Sequence, residues 1–231
     1  MRLLTLLFFL VSYQANSQIL ISLLLGDKLN SEKLEFGLDG GISLSHIRGL
    51  SQSKYMADLN LGFYFDIRLK EPHWFFHTGV MVKSSMGGKD IAVYGLNNAD
   101  LDAAFAGGSV KRKLGYFNVP VMLKYKFDNN IFLETGPVFS LLNKATDQFI
   151  STIESKEDLN YKRKIRDKFH PLDAGMMAGV GYRLMGGNGM NLSLRYYYGF
   201  VDVTVDDVAS NHYNESFYFS VGIPIGKPPK E

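Results

Sequence analysis

Along residues 58–69 every second residue is apolar. Leu59, Leu61, Phe63, Phe65, Ile67 and Leu69 fall on one face of an extended chain, and Asp58, Asn60, Gly62, Tyr64, Asp66 and Arg68 on the other. A period of two is what a strand needs when its faces meet different surroundings, and no helix sorts residues this way. Segments 35–45, 73–83, 116–127, 130–142, 173–184, 190–200 and 216–225 alternate in the same manner. The chain therefore reads as all-β with eight strands.

Pooled over the eight segments, the apolar stripe contains no charged residue. The polar stripe carries Glu35, Asp39, Asp58, Asp66, Glu134 and Asp173 against Arg68, Lys83, Lys124, Lys126, Arg183 and Arg195. Alternation alone does not say which stripe points inward, because a soluble barrel hides its apolar face and a membrane barrel presents it to lipid. Glycine decides the direction: Gly37, Gly136, Gly181 and most other strand glycines share the charged stripe. On a solvated exterior they would weaken strands for no gain, whereas in a narrow lumen they make room for Arg, Lys and Tyr. The twelve charges are expected inside as a paired, salt-bridged plug. About 11 residues per strand, at roughly 3.3 Å each and a tilt of about 40°, cover the hydrocarbon thickness. An open sheet edge in lipid would leave backbone groups unpaired, so the sheet must close. The expected fold is an eight-stranded antiparallel up-and-down transmembrane β-barrel.

The links 70–72, 128–129 and 186–189 are tight, and 46–57, 84–115, 143–172 and 201–215 are long. Short periplasmic turns and longer outer loops are the asymmetry of outer-membrane barrels, which places both chain ends in the periplasm. Lipid-facing Trp74, Tyr125, Phe127 and Tyr182 then form an inner aromatic girdle, and Phe117, Tyr198, Phe200 and Phe217 an outer one. Arg2, the apolar run 3–11 and Ala15-Asn16-Ser17 have the three parts of a cleaved signal peptide, assigned to 1–17. A periplasmic lead segment at 18–34, the barrel at 35–226 and a tail at 227–231 complete the division. With a formal charge of +2 over 231 residues, the chain lacks the footprint of a nucleic-acid binder. The absence of cysteine excludes disulfides, thiolate metal sites and a cysteine nucleophile.

The remaining constellations are weak. His73 and His77 have zinc-like spacing for a helix, but on a strand they stand roughly 13 Å apart and cannot share one ion. Gly87-Gly88-Lys89-Asp90 lacks the other parts of a phosphate loop and reads as a plain loop. Ser45 with His46, His170 with Asp173, and His212 with Asp206 or Asp207 could supply acyl-transfer chemistry at the outer rim, yet nothing in their spacing selects them. No catalytic residue, metal or cofactor is expected. In 161–170 (YKRKIRDKFH), Lys162, Arg163, Lys164, Arg166 and Lys168 are candidates for contact with outer-leaflet phosphates, lipopolysaccharide included. Tyr196 and Tyr198 should face lipid and Tyr197 the lumen.

At Tyr116-Phe117-Asn118-Val119-Pro120, running into Val121-Met122-Leu123-Lys124-Tyr125, and at Phe132-Leu133-Glu134-Thr135-Gly136-Pro137, the chain resembles the PorT-like outer-membrane β-barrel proteins of Bacteroidetes, often labelled the porin family. The likeness extends to Phe36-Gly37-Leu38-Asp39-Gly40-Gly41 and Gly179-Val180-Gly181-Tyr182. It implies an outer-membrane barrel, with some relatives linked to protein secretion and maturation at the cell surface, and brings no catalytic residues. The expectation is a monomeric, non-enzymatic barrel with a plugged lumen. Its partners would be outer-membrane lipids and the outer-membrane assembly machinery, and its role structural or surface-interacting. The alternative is a soluble exported lipocalin-like barrel with the apolar stripe inside around an apolar ligand.

Overall fold

The computed structural model describes residues 33–152, 159–187, 189–205 and 211–225. The expected signal peptide, most of the lead segment and the tail lie outside the described residues. Among the described residues nine strands are present: β1 (Leu34–Arg48), β2 (Met56–Arg68), β3 (Trp74–Ile91), β4 (Ser109–Lys126), β5 (Ile131–Ser151), β6 (Leu159–Lys164), β7 (Leu172–Arg183), β8 (Asn191–Gly199) and β9 (Tyr213–Pro224). One short helix, α1 (Ala99–Phe105), sits between β3 and β4, capped by the Asn98 side chain on the amides of Asp100 and Leu101. Eight strands pair antiparallel with their neighbours in the ring β1-β2-β3-β4-β5-β7-β8-β9, which closes where β9 pairs β1. β6 stands outside the ring on the far half of β5.

The alternation sorts the wall as the sequence demands. Phe63 and Leu194 are each 41% exposed on the outside, while Tyr64, Glu134, Arg195 and Tyr218 are buried within. A lipocalin-like arrangement, which needs the apolar stripe inside, does not fit this wall. On β5 the outward residues run from Ile131 through Leu133 and Phe139 to Leu141. At a tilt of about 40° this is a belt roughly 25 Å tall. The tight turns at one end rest on left-handed residues such as Asn130 (φ 65°) and Gly186 (φ 63°).

The other end departs from expectation. The links 84–115 and 143–172 are not open loops, because β3, β4 and β5 run on beyond the belt and β6 extends the sheet. Period two had hidden this because two β-bulges interrupt it. Between the pairs Met81↔Asn118 and Ser84↔Tyr116, β3 carries one more residue than β4. Between Gly115↔Lys144 and Tyr116↔Leu142, β5 carries the extra Asn143. An extra residue exchanges the two faces of everything beyond it. Thus Glu134, Val138 and Leu142 point inward below the β5 bulge, and Ala145, Asp147 and Phe149 point inward above it. Gly87 and Gly88 lie in β3, not in a loop.

The glycines of the charged stripe serve two purposes. A Cβ at Gly37 would strike the Tyr64 ring, and one at Gly181 the Phe132 ring, so these positions do make room for bulky lumenal side chains. At Gly41 and Gly136 a Cβ would instead meet the backbone of the adjacent strand, at Phe219 O and Val121 O. Those two glycines permit tight coiling of the wall, which side-chain volume alone does not reveal.

Candidate functional site

The lumen near the tight turns is filled by an ionic network. Lys124 Nζ donates to Asp66 Oδ2 at 2.7 Å, and the other oxygen of Asp66 meets His77 Nδ1 at 2.5 Å. Glu134 lies 4.0 Å from Lys124 and accepts from Arg195 Nε at 2.5 Å, while Arg195 Nη1 reaches Asp39. Nearby, Arg183 Nη2 pairs with Glu35 Oε2 at 2.6 Å, and the Tyr64 hydroxyl donates to Glu35 Oε1 at 2.9 Å. Four carboxylates thus face three permanent cations, with His77 as the fourth partner. All eight residues belong to the inward stripe, several of them directly opposite one another on adjacent strands (Glu35, Asp66 and His77; Lys124 and Glu134), and all are buried. Among those carboxylate oxygens Glu134 Oε2 has no hydrogen-bond partner, and neither has Asp39 Oδ1. It borders a cavity of about one water molecule, lined also by Tyr64, His77, Lys124 and Arg195.

Above the network the filling changes to hydroxyls, amides and apolar groups. Tyr116, Tyr197 and Tyr218 are fully buried across the lumen, with Met81, Met122, Met177 and Val138 packed against them. Asn118 Nδ2 donates to Ser84 Oγ at 2.9 Å, and Ser84 in turn meets the Tyr218 hydroxyl. Asp173 is buried here without a cation, held by Asn214 Nδ2 at 2.8 Å. Six acids facing six bases is therefore not the pairing that forms.

The far end is closed by an ordered cap. Ile165 and Phe169, on either side of the turn Arg166–Lys168, and Val203 from the β8–β9 link are buried against the barrel cluster. The extensions of β3, β4 and β5 bury a second cluster of Ile91, Val110 and Phe149 with Phe105 of α1. At its edge Arg112 grips Asp147 with both nitrogens, Nε at 2.8 Å and Nη2 at 2.7 Å, and the Tyr94 hydroxyl donates to the same carboxylate. Burial and then the Asp147 charge push Tyr94 above the usual phenol range. Sequence reasoning missed this pair; the signal was Val110, Arg112 and Leu114 alternating with lysines once the loop assignment is abandoned.

The other expected site residues fall as follows. Lys83 is exposed on the outer wall opposite Leu61, a correction to its lumenal assignment caused by the β3 bulge. Asp58 pairs with Lys113 at 2.8 Å, a partner from a segment expected to be loop. Arg68 lies over the Phe75 ring and Lys126 near the tight-turn end, both partly buried and outside the network. Of the basic decapeptide, Arg163 and Lys168 approach the Tyr94 ring at 5.8 and 5.2 Å, and Arg166 donates to Leu142 O. Lys162 and Lys164 are exposed on the opposite face of β6. These five do not form one cluster.

Ser45 and His46 point to opposite faces of β1, so they cannot form a dyad. His212 gives its backbone N–H to Asp202, and Asp206 and Asp207 lie outside the described residues. His73 Nδ1 sits against Lys126 O while His77 is committed to Asp66. Among the described residues no group of three acids or histidines could hold a metal ion.

The family profile of the outer membrane protein beta-barrel domain matches residues 14–205. The chain belongs to the outer membrane protein beta-barrel domain family. As a member it resides in the outer membrane, where barrels of this kind keep their short turns on the periplasmic side and their longer connections outside. None of the curated proteins compared with it matches. Among solved structures, the barrel is similar to Ail, the attachment invasion locus protein of Yersinia pestis. Identity is 9%, the alignment spans 83% of this chain and 99% of Ail, and the TM-score is 0.45. It is similar too to OprG of Pseudomonas aeruginosa at 11% identity, covering 85% and 100% of the two chains, with a TM-score of 0.40.

Proposed function

We propose that this outer-membrane barrel works as a closed, non-enzymatic anchor that displays its ordered cap at the cell surface, in a structural or surface-interaction role. The observation that carries the reading is the filling of the lumen along its length. The ionic network blocks the periplasmic half, three buried tyrosines cross the middle, and Ile165, Phe169 and Val203 stop the outer mouth. Eight strands leave an interior just wide enough for such side chains, so a solute path would require dismantling them. The lengthened strands and α1 give the cap a core of its own, which a simple lipid-filling barrel has no use for. The resemblance to PorT-like proteins favours a narrower version, in which the cap serves protein secretion or maturation at the cell surface. The protein acts as a monomer, delivered by the outer-membrane assembly machinery.

Planar-bilayer recording of the refolded chain tests the anchor. The expected trace is silent, and steady single-channel conductance would overturn the closed-lumen reading. The narrower role is tested by deleting the gene and following secreted proteins. Unprocessed precursors accumulating in the periplasm would support it, and a normal secreted set would remove it.

A further inference from the structure

The two faces of the cap sheet differ sharply in charge. Facing inward, Val110, Leu114, Ala145 and Phe149 are buried, and Arg112 is neutralised by Asp147. Facing outward are Lys111 and Lys113 of β4, Lys144 of β5, and Lys162 and Lys164 of β6. The register sets four of them at the corners of a rectangle. Lys113 and Lys164 flank Thr146, and Lys111 and Lys162 flank Gln148. Two strand spacings make one side about 10 Å and two residues make the other about 7 Å. Between Lys113 and Lys164, Thr146 Oγ1 is covered and has no hydrogen-bond partner. Among the described residues only Lys113 of these lysines has an ion pair, with Asp58 of β2.

This basic face continues the lipid-facing wall. Phe117 and Val119 lie directly below it on β4, and Phe139 and Leu141 on β5. Lys144 is three residues beyond Leu141, which at the strand tilt is about 8 Å above the apolar belt, the depth of headgroup phosphates. Lys83, turned outward by the β3 bulge, stands lower, beside Phe117. Lysine on an exposed edge strand such as β6 also discourages sheet-to-sheet aggregation. That purpose does not explain Lys111, whose strand is paired with β3 on one side and β5 on the other.

We propose that the outward face of β4–β6 docks on anionic lipid headgroups of the outer leaflet, with Lys111, Lys144, Lys162 and Lys164 contacting their phosphates and Lys83 reaching up from the belt. This rests on the surface-interaction reading and assigns the partner of one face of the cap. It keeps Lys162 and Lys164 of the basic decapeptide and releases Arg163, Arg166 and Lys168, which are engaged with Tyr94 and the backbone.

The test uses the full chain refolded into phosphatidylcholine vesicles with spin-labelled phosphatidylglycerol or phosphatidylcholine as probe. The parent should retain the anionic probe at its perimeter at least about fivefold over the neutral one, the weight of one lysine at a charged surface. The variant K111Q/K144Q/K162Q/K164Q should lose that preference, and R163Q/K168Q should keep it. Should the fourfold variant not fold, judged by heat-modifiable gel migration, K162Q/K164Q on β6 alone should still reduce the ratio. Equal retention of both probes by the parent, or a preference that survives the lysine replacements, overturns the proposal and leaves a soluble acidic protein as the partner of this face. Failure of the parent to insert at all would instead strike the anchor reading.

Discussion

The periplasmic half of the lumen and the outer cap are built from the same strands, yet they place their charges on opposite sides. On β5, Glu134 points into the lumen while Lys144 points away from it. The surroundings explain the inversion. Beside the belt the outside is hydrocarbon, so an ion is tolerated only within, where partners lie at 2.5 to 2.7 Å. Above the belt the outside is wet, so the ions go out and Phe149 goes in. Sheet chemistry is constant over the length of the strand, and only the location of water changes.

Breaking the inner network should have the largest effect. Replacing Arg195 with Ala leaves Glu134 and Asp39 buried without their shared cation, and should cost about 3–5 kcal/mol. Urea unfolding of the refolded barrel, followed by gel migration, measures it; a loss below 1 kcal/mol would show that water takes the place of the guanidinium. Next comes a charge on the wrong side of the wall. Phe63→Arg should cost about 2–4 kcal/mol in lipid, whereas Gln148→Arg, outward on the cap between Lys111 and Lys162, should cost about 1 kcal/mol at most. Equal costs at the two positions would erase the contrast between belt and cap.

How far the sequence disclosed this contrast follows from where the strands are uninterrupted. β2 was legible because its alternation runs from Met56 to Arg68, and the same holds for the lumenal ions Glu35, Asp39, Asp66, Lys124, Glu134, Arg183 and Arg195. Lys83 was misplaced and β6 unseen because one added residue on β3 and another on β5 reset the period. Partner choice was less legible still. That Asp58 takes Lys113 and Asp173 takes Asn214 depends on which strands meet across the lumen and at the rim, and composition does not encode this.

Two smaller tests sharpen the difference from the cap side. Asp147→Asn removes the charge held by Arg112 and Tyr94, and should weaken the cap by about 1–3 kcal/mol. Hydrogen exchange should then quicken at the β4 and β5 extensions while the belt amides stay protected, and a uniform loss of protection would mean that cap and barrel unfold as one unit. The smallest effect is expected at Asp202 in the β8–β9 link. Burial opposes its ionisation, but hydrogen bonds from Thr204 N, His212 N and Thr204 Oγ1 outweigh that and hold it below the usual carboxylate range. A group lowered in the folded state stabilises above its unfolded value of about 4 and loses that contribution as pH falls through the folded one. The protection factors of the Thr204 and His212 amides, which correct for the intrinsic pH dependence of exchange, should therefore fall only on acidification, and a protection factor that does not change as the carboxylate is protonated would show that it is not what holds the link.

Asn143 acts on the wall much as an inserted base acts on a coding strand. Every residue upstream keeps its meaning, and every residue downstream is translated onto the other side. Deleting that single asparagine would remove the bulge and leave Lys144 outside and Phe149 inside, because the lost residue and the lost bulge cancel. A lineage carrying this barrel can thus gain or lose one amino acid at this place and still show the same side chains to the outside, the bulge taking up the difference in phase.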